Sequence, residues 1–217
     1  MTNLAEVRER FLAAQLEGDR RKALDIITRL PVPEVAASDV RAEVIRPAQE
    51  AIGRLWQTNE ISIAQEHVAT AISHLALASI YEREAPRPPN GKLVAVACVD
   101  GEQHEFPARL VADELESAGF DVRFLGASVP LDHLLSFIER SRPDLVVLSA
   151  TLALHADSVR ATVRGIRAQA GPGLPIAVGG QVCRWVTGLA AELDVELSGC
   201  DAAALVTEAS ALLGISG

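Results

Sequence analysis

The chain has 217 residues, 49% of them hydrophobic and 23% charged, with a formal net charge of -9 at pH 7. That length allows one or two domains with a sizeable core, and the composition excludes long disorder. The acidity argues against a nucleic-acid surface, and no apolar run approaches the ~18 residues of a membrane span.

The first twenty residues mix charged and apolar side chains, unlike a signal peptide. Cys98, Cys183 and Cys200 lack metal-ligand spacing and read as packing residues of a protein in the reducing cytoplasm.

Residues 1–85 read as helices. Leu4, Val7, Phe11 and Leu12 have helical spacing, and so do Leu16, Ala23, Leu24, Ile27 and Leu30. Gly18-Asp19 separates these two, with Asp19 as N-cap, and Pro31 and Pro33 close the second. Ser38 caps a third helix through Val40, Val44, Ile45, Ala48, Ile52 and Leu55, which Pro47 should kink. Thr58-Asn59-Glu60 ends it, and Ser62 caps a fourth carrying Ile63, His67, Thr70, Ala71, Leu75 and Ala78. Four amphipathic helices with short connections predict a four-helix bundle. Trp56 ends the third helix and Glu66-His67 opens the fourth, so a short turn brings them to one end. They read either as a core tryptophan beside a solvated pair, or as a lid: an indole over a ligand, with carboxylate and imidazole at its polar edge.

Residues 86–91, Pro-Arg-Pro-Pro-Asn-Gly, read as a stiff linker. From residue 92 to 217 strands and helices alternate. The predicted strands are Leu93–Val99, Asp121–Leu125, Asp144–Ser149, Pro175–Val178 and Val195–Leu197. The predicted helices are Ala108–Ala118, Leu131–Ser141, His155–Gln169, Val182–Ala191 and Ala202–Leu213. The fold class is α + α/β: a helical bundle, then a five-stranded parallel-sheet, Rossmann-like domain. Loops after the strands then share one edge, where open α/β sheets bind ligands.

That edge holds the candidate chemistry. His104 follows the first strand, two residues after Glu102; one ring nitrogen could bind a metal while the carboxylate orients the other. Alone, a loop histidine is more often a solvated polar residue than a ligand. Ser149-Ala-Thr151 puts hydroxyls after the third strand, and Gly179-Gly180 ends the fourth with an open slot for a flat group. No Gly-x-Gly-x-x-Gly follows the first strand, which disfavours a dinucleotide site. A phosphorylation receiver would need aspartate where Ser149 stands. Hydrolase chemistry would need a nucleophile with an adjacent base, and there is no Gly-x-Ser-x-Gly.

Glu102-Gln-His104, Ser149-Ala-Thr151, Gly179-Gly180 and Ser198-Gly-Cys200-Asp201 together resemble the cobalamin-binding domain family, with Pro107 where that family usually has glycine. The resemblance implies that His104 binds cobalt from below in place of the cofactor's dimethylbenzimidazole. The displaced nucleotide tail would lie by Ser149, Thr151, Gly179, Gly180 and Asp201. Trp56, nine residues, then Glu66-His67 matches the adenosylcobalamin light sensors of the CarH type. That resemblance implies that Trp56 and Glu66 cradle the adenosyl group, with Ile63 lining the pocket. Light would break the cobalt–carbon bond and change domain arrangement or oligomeric state. Gln57 stands where the best-known members have histidine, so the upper site after illumination would fall to water or another residue such as His67.

The bundle starts near Met1 and the chain is acidic, so no DNA-binding domain is expected. The reading is a non-enzymatic, homo-oligomeric cytoplasmic photoreceptor that signals to a separate effector, with no membrane or nucleic-acid contact. Stand-alone relatives called photocobilins suggest a second chromophore such as biliverdin, near Trp185 or His155. The alternatives are a corrinoid methyl carrier, whose transfer a bulky Trp56 lid would obstruct, and a non-catalytic interaction domain. No catalytic barrel accompanies the domain, which disfavours a mutase.

Overall fold

The fold was analysed in a computed structural model, which describes residues 2–31, 34–81, 83, 87–199 and 201–215. Pro33, Pro86 and Cys200, assigned above to a helix end, a linker and packing, lie outside the described residues. The chain divides into two compact units, Met1–Ala85 and Pro86–Gly217.

The first unit is helical. It comprises α1 (Leu4–Leu16), α2 (Arg20–Thr28), the short α3 (Ala37–Asp39), a π-helical stretch (Val40–Ile45), α4 (Arg46–Gln57) and α5 (Ile63–Tyr81). Asp19 caps α2 by accepting from Lys22 N–H at 3.0 Å. Ser62 and Gln65 form a reciprocal capping box at α5: Gln65 N–H donates to Ser62 Oγ at 3.3 Å, and Ser62 N–H to Gln65 Oε1 at 2.9 Å. Phe11, Ile27, Val44, Ile52 and Ile72 are buried in its core.

Two local expectations change. Ser38 lies inside α3, and Ala36 precedes that helix with no side-chain cap. Pro47 lies in the first turn of α4, directly after the π-helical stretch, and not in the middle of one regular helix. Its missing donor is accommodated upstream by the wider π turn, where Arg46 N–H bonds Arg41 O, five residues back. The end of α4 is a Schellman motif: Glu60 N–H reaches Leu55 O at 2.8 Å, Asn59 N–H reaches Trp56 O at 3.0 Å, and Asn59 takes φ +59°. This motif fixes the backbone at Trp56 just before the turn into α5.

The second unit is a five-stranded, all-parallel sheet in the order β2-β1-β3-β4-β5. Its elements are β1 (Leu93–Val99), α6 (Phe106–Ser117), β2 (Asp121–Val129), α7 (Leu131–Ser141), β3 (Leu145–Ser149), α8 (Ala156–Ala170), β4 (Ile176–Gly179), α9 (Val182–Trp185), α10 (Leu189–Glu192), β5 (Leu197–Gly199) and α11 (Ala202–Leu212).

Period-two alternation sorts β1 between two cores. Ala95, Ala97 and Val99 pack with Leu134, Ile138, Val159 and Val163 of α7 and α8. Val94, Val96 and Cys98 pack with Ala108, Ala112, Leu115 and Ala209 of α6 and α11. The strand order reverses between β1 and β3, the switch point at which such sheets open a crevice.

Differences from the sequence reading are local. Strand β2 runs on to Val129 through two register irregularities opposite β1. The single helix expected over 182–191 is broken into α9 and α10, with Gly188 at φ +82° between them. The described linker residues are fastened to this unit, since Arg87 N–H donates to Ser117 O and Asn90 N–H to Gly119 O. Pro107 occupies the first turn of α6, where a missing N–H costs nothing. No described helix is long and apolar enough to cross a membrane.

At the far side of the sheet Arg167 ties α8 to the last strands. It donates to Leu174 O, Asp194 O and both oxygens of Glu196, which also accepts from Ile176 N–H at 2.7 Å. Burial pushes the Glu196 carboxyl up, but the hydrogen bonds from Ile176 and Arg167 outweigh it and hold it below its ordinary value of 4.5. Its contribution to stability is therefore full above that ordinary value and is lost as pH falls through the folded value. Glu196→Gln should be less stable than wild type at about pH 6, with the gap closing toward about pH 3. Urea midpoints at the two pH values check this; a gap that stays constant would refute it.

Candidate functional site

The loops after β1 and β3 and the end of β2 are locked into one cluster around Glu102, which is fully buried. The first turn after β1 is closed by Glu102 N–H donating to Val99 O at 3.0 Å. The end of β2 clamps it: Gly101 N–H donates to Ser128 Oγ at 3.0 Å, and Ser128 N–H to Glu102 O at 2.8 Å. The Glu102 carboxylate then collects donors. Its Oε1 accepts from His104 N–H at 2.7 Å and from His104 Nδ1 at 2.5 Å. Its Oε2 accepts from Thr151 N–H, in the loop after β3, at 2.5 Å.

Burial pushes the Glu102 carboxyl up; hydrogen bonds from the His104 ring, Thr151 N–H and His104 N–H more than offset it and bring it down to about 2. Glu102 is thus a carboxylate, which can only accept. That makes Nδ1 the protonated nitrogen of His104 and leaves the lone pair on Nε2. The His104 side chain is 37% exposed, and its partner carboxylate is 0% exposed. This carboxylate–histidine pair is the arrangement that orients an imidazole and raises its strength as a metal ligand.

Around the pair, Thr151 Oγ1 is buried without a hydrogen-bond partner. Ser149 is buried at the end of β3, in register with Cys98 and Gly179. Cys98 donates weakly to His104 O across 3.9 Å, and burial, then Glu102 and Glu105, push its thiol up to about 12. It is therefore a packing residue and not a thiolate ligand.

At both glycines the place of a side chain is blocked by backbone. Gly180 has φ +96°, and a Cβ there would lie 2.1 Å from Ala150 O; at Gly179 it would lie 3.0 Å from Gly199 O. The space is taken by neighbouring backbone, so these glycines let the ends of β3, β4 and β5 close on one another. Asp201 caps α11 by accepting from Ala204 N–H at 2.9 Å.

The bundle unit holds the other candidates. Trp56 is partly buried in the last turn of α4, and Glu66 and His67 lie early in α5, on either side of the turn over residues 58–62. Glu66 is 15% exposed in its side chain and accepts from Thr70 Oγ1 at 2.7 Å. His67 is 71% exposed, its Nε2 3.6 Å from Glu66 Oε2. Ile63 is 57% exposed, unusual for an isoleucine.

Sequence reasoning missed two residues of the sheet-edge cluster. Ser128 is one; its place near the carboxyl end of β2 was the available signal. The other is His155, whose Nε2 lies 4.0 Å from Glu102 Oε2 and whose ring faces Gly101. The sequence places it only at a helix start or beside a second chromophore, and just 12% of its side chain is exposed. Trp185 is 60% exposed. A separate cavity of about 890 Å³ opens beside Arg142, Asp144, Gln169 and Pro175, at the opposite ends of the strands, and holds no candidate ligand.

Among the described residues no cluster of three or more His, Cys, Asp or Glu side chains could hold a metal ion. What the sheet edge offers is one imidazole oriented by a buried carboxylate, at the switch point of a Rossmann-like domain. The chain belongs to the B12 binding domain family, which matches residues 92–214; a second B12 binding domain family matches residues 7–81.

It is 31% identical over 181 residues to the HTH-type transcriptional repressor CarH of Myxococcus xanthus, covering 82% of this chain and 58% of that one. It is 27% identical over 131 residues to dimethylamine corrinoid protein 2 of Methanosarcina acetivorans, covering 54% of this chain and 60% of that one. The chain thus spans well under two thirds of these relatives' lengths. The monomethylamine corrinoid protein of Methanosarcina barkeri shares the fold, with a TM-score of 0.78 over 97% of this chain and 99% of that one, at 16% identity. This is a cobalamin-binding protein, with a helical unit preceding a Rossmann-like one.

Proposed function

We propose that the chain is an adenosylcobalamin-dependent light sensor. The observation that carries this reading is the set at one end of the bundle: Trp56, and a Glu66 carboxylate pinned by Thr70 at the start of the next helix. A methyl carrier needs an open upper face; a tryptophan and an acceptor carboxylate suit a bulky nucleoside better. The bound cofactor would supply a cobalt–carbon bond that visible light cleaves.

His104 would give its Nε2 lone pair to cobalt, while Glu102 keeps Nδ1 protonated and the ring fixed. Ser149 and the partnerless Thr151 hydroxyl would bond the displaced nucleotide tail. Glu66 would accept from the hydroxyl or amino groups of the adenosyl moiety, with Trp56 and Ile63 against its ring faces. Loss of that moiety would remove what Trp56 and Glu66 hold, and this change would alter domain arrangement or oligomeric state and be read by a partner protein. The alternative is a corrinoid methyl carrier, supported by the likeness to dimethylamine corrinoid protein 2 and sharing the His104 site.

One experiment separates them. The protein reconstituted with adenosylcobalamin in the dark should change its absorption spectrum irreversibly under green light and change its elution volume with it. A photostable complex, or no binding, would sink the sensor reading.

A further inference from the structure

The bundle carries a chain of polar side chains that runs from its core, where aliphatic ones would pack, to its half-buried edge. Gln15 on α1 and Ser73 on α5 are 1% and 0% exposed, amid Phe11, Ala14, Ala69, Ile72 and Ala76. Gln15 Nε2 lies 3.1 Å from Ala69 O and 2.7 Å from Ser73 Oγ. Ser73 Oγ lies 2.7 Å from Gln49 Oε1, on α4. Gln49 Nε2 lies 2.6 Å from Thr70 Oγ1, and Thr70 Oγ1 lies 2.7 Å from Glu66 Oε1. Glu66, Thr70 and Ser73 are spaced four and three apart, on one face of α5.

The chemistry of the two ends fixes the direction of every bond. A carboxylate only accepts, so Thr70 must give its single hydroxyl proton to Glu66 and must accept from Gln49. The Gln49 amide therefore turns its nitrogen to Thr70 and its oxygen to Ser73. Ser73 spends its proton on Gln49 and accepts from Gln15. At the other end the Ala69 carbonyl also only accepts, which independently turns the Gln15 nitrogen the same way. The two constraints agree. Gln15 Oε1 is left buried with no partner, a cost that an apolar pair of similar shape would avoid.

At the outlet, Glu66 Oε1 is held by the relay, while among the described residues Oε2 pairs with His67 Nε2 at 3.6 Å, beyond hydrogen-bond reach. We propose that Gln15, Ser73, Gln49 and Thr70 are positioning residues, a one-way hydrogen-bond relay that presents Glu66 Oε2 as a fixed acceptor and thereby selects upper cobalt ligands bearing hydroxyl or amino donors. This rests on the light-sensor reading, which supplies the ligand; the relay itself does not. A ligand without donors in that position gains nothing from the relay, and one with them meets an acceptor already oriented.

The test uses the full chain, with adenosylcobalamin and hydroxocobalamin as probes. Thr70→Val, nearly isosteric, should weaken adenosylcobalamin about tenfold and leave hydroxocobalamin within about twofold. Thr70→Ser should restore the difference. Equal loss for both probes, or no loss for either, overturns the selectivity role while leaving the sensor reading intact.

A cofactor-free arm keeps the two separable. Ser73→Ala and Glu66→Leu lie two helical turns apart, so without a relay their effects on the unfolding equilibrium multiply. With the relay, the double variant should depart from that product by about threefold or more. Multiplicative effects overturn the relay even if adenosylcobalamin fails to bind at all.

Discussion

Replacing His104 with alanine should abolish the histidine-ligated spectrum of the bound cofactor and leave a form ligated from below by the cofactor's own base or by water. The reason lies in the geometry of one carboxylate. Glu102 is fully buried and holds Nδ1 of His104 at 2.5 Å, so the lone pair that remains on the ring is at Nε2. No second histidine can take over through the same contact, because His155 Nε2 stands 4.0 Å from Glu102 on its other oxygen.

The substitution also removes a charge-assisted bond from a buried carboxylate, which should cost about 1–3 kcal/mol of stability in the cofactor-free protein. Urea unfolding measures that loss, and hydroxocobalamin absorption and cob(II)alamin electron paramagnetic resonance measure the ligand change. A His104→Ala protein with the wild-type spectrum would take His104 out of the coordination sphere. A changed spectrum with unchanged stability would mean that the bond to Glu102 is weaker than its length indicates.

What could be read from the sequence is what neighbouring residues decide. The apolar run 93–99 announces a buried strand because every second side chain must find a core on each face. Asp19 and the Ser62–Gln65 pair announce helix starts because caps act within three residues. Pro107, an irregularity in the motif around His104, is harmless because proline at a helix start loses a donor that has no partner there.

What could not be read depends on residues far apart in the chain. The bond from Thr151 N–H to Glu102 spans 49 positions, and that from Gln15 to Ser73 spans 58. Neither has a periodicity or a spacing to give it away. The π-helical turn before Pro47 is hidden for a different reason: proline signals a missing donor, but not that the turn before it widens, with Val44 and Ile45 buried there. The glycines were legible as a feature, but not the strand-end backbone that excludes a side chain there. A Gly-Gly after a strand leaves room, but whether a ligand or another stretch of backbone fills it is settled by the neighbouring strands.

That distinction makes Gly180 the most sensitive single position outside the ligand itself. Gly180→Ala would place a methyl carbon 2.1 Å from Ala150 O and 2.9 Å from Ala150 C, all of it backbone, at a φ of +96° that alanine rarely adopts. Neither partner can turn aside as a flexible side chain would. Ala150 is held on both sides, its N–H donating to Gly179 O at 3.2 Å and its carbonyl accepting from Val182 N–H at 3.2 Å.

Relief therefore requires the end of β3 to part from the end of β4, and the next residue along is Thr151, whose N–H holds Glu102. The clash and the strained φ together should cost more than about 3 kcal/mol, and protein that still folds should bind hydroxocobalamin more weakly because Glu102 and His104 lose their anchor. Gly179→Ala, with its nearest contact at 3.0 Å and no positive φ, should cost less. Urea denaturation of the two variants, with cofactor titration of whatever remains folded, checks the order. If Gly180→Ala comes within about 1 kcal/mol of wild type, the two strand ends are not closed on one another as described, and the open slot returns as the reason for glycine.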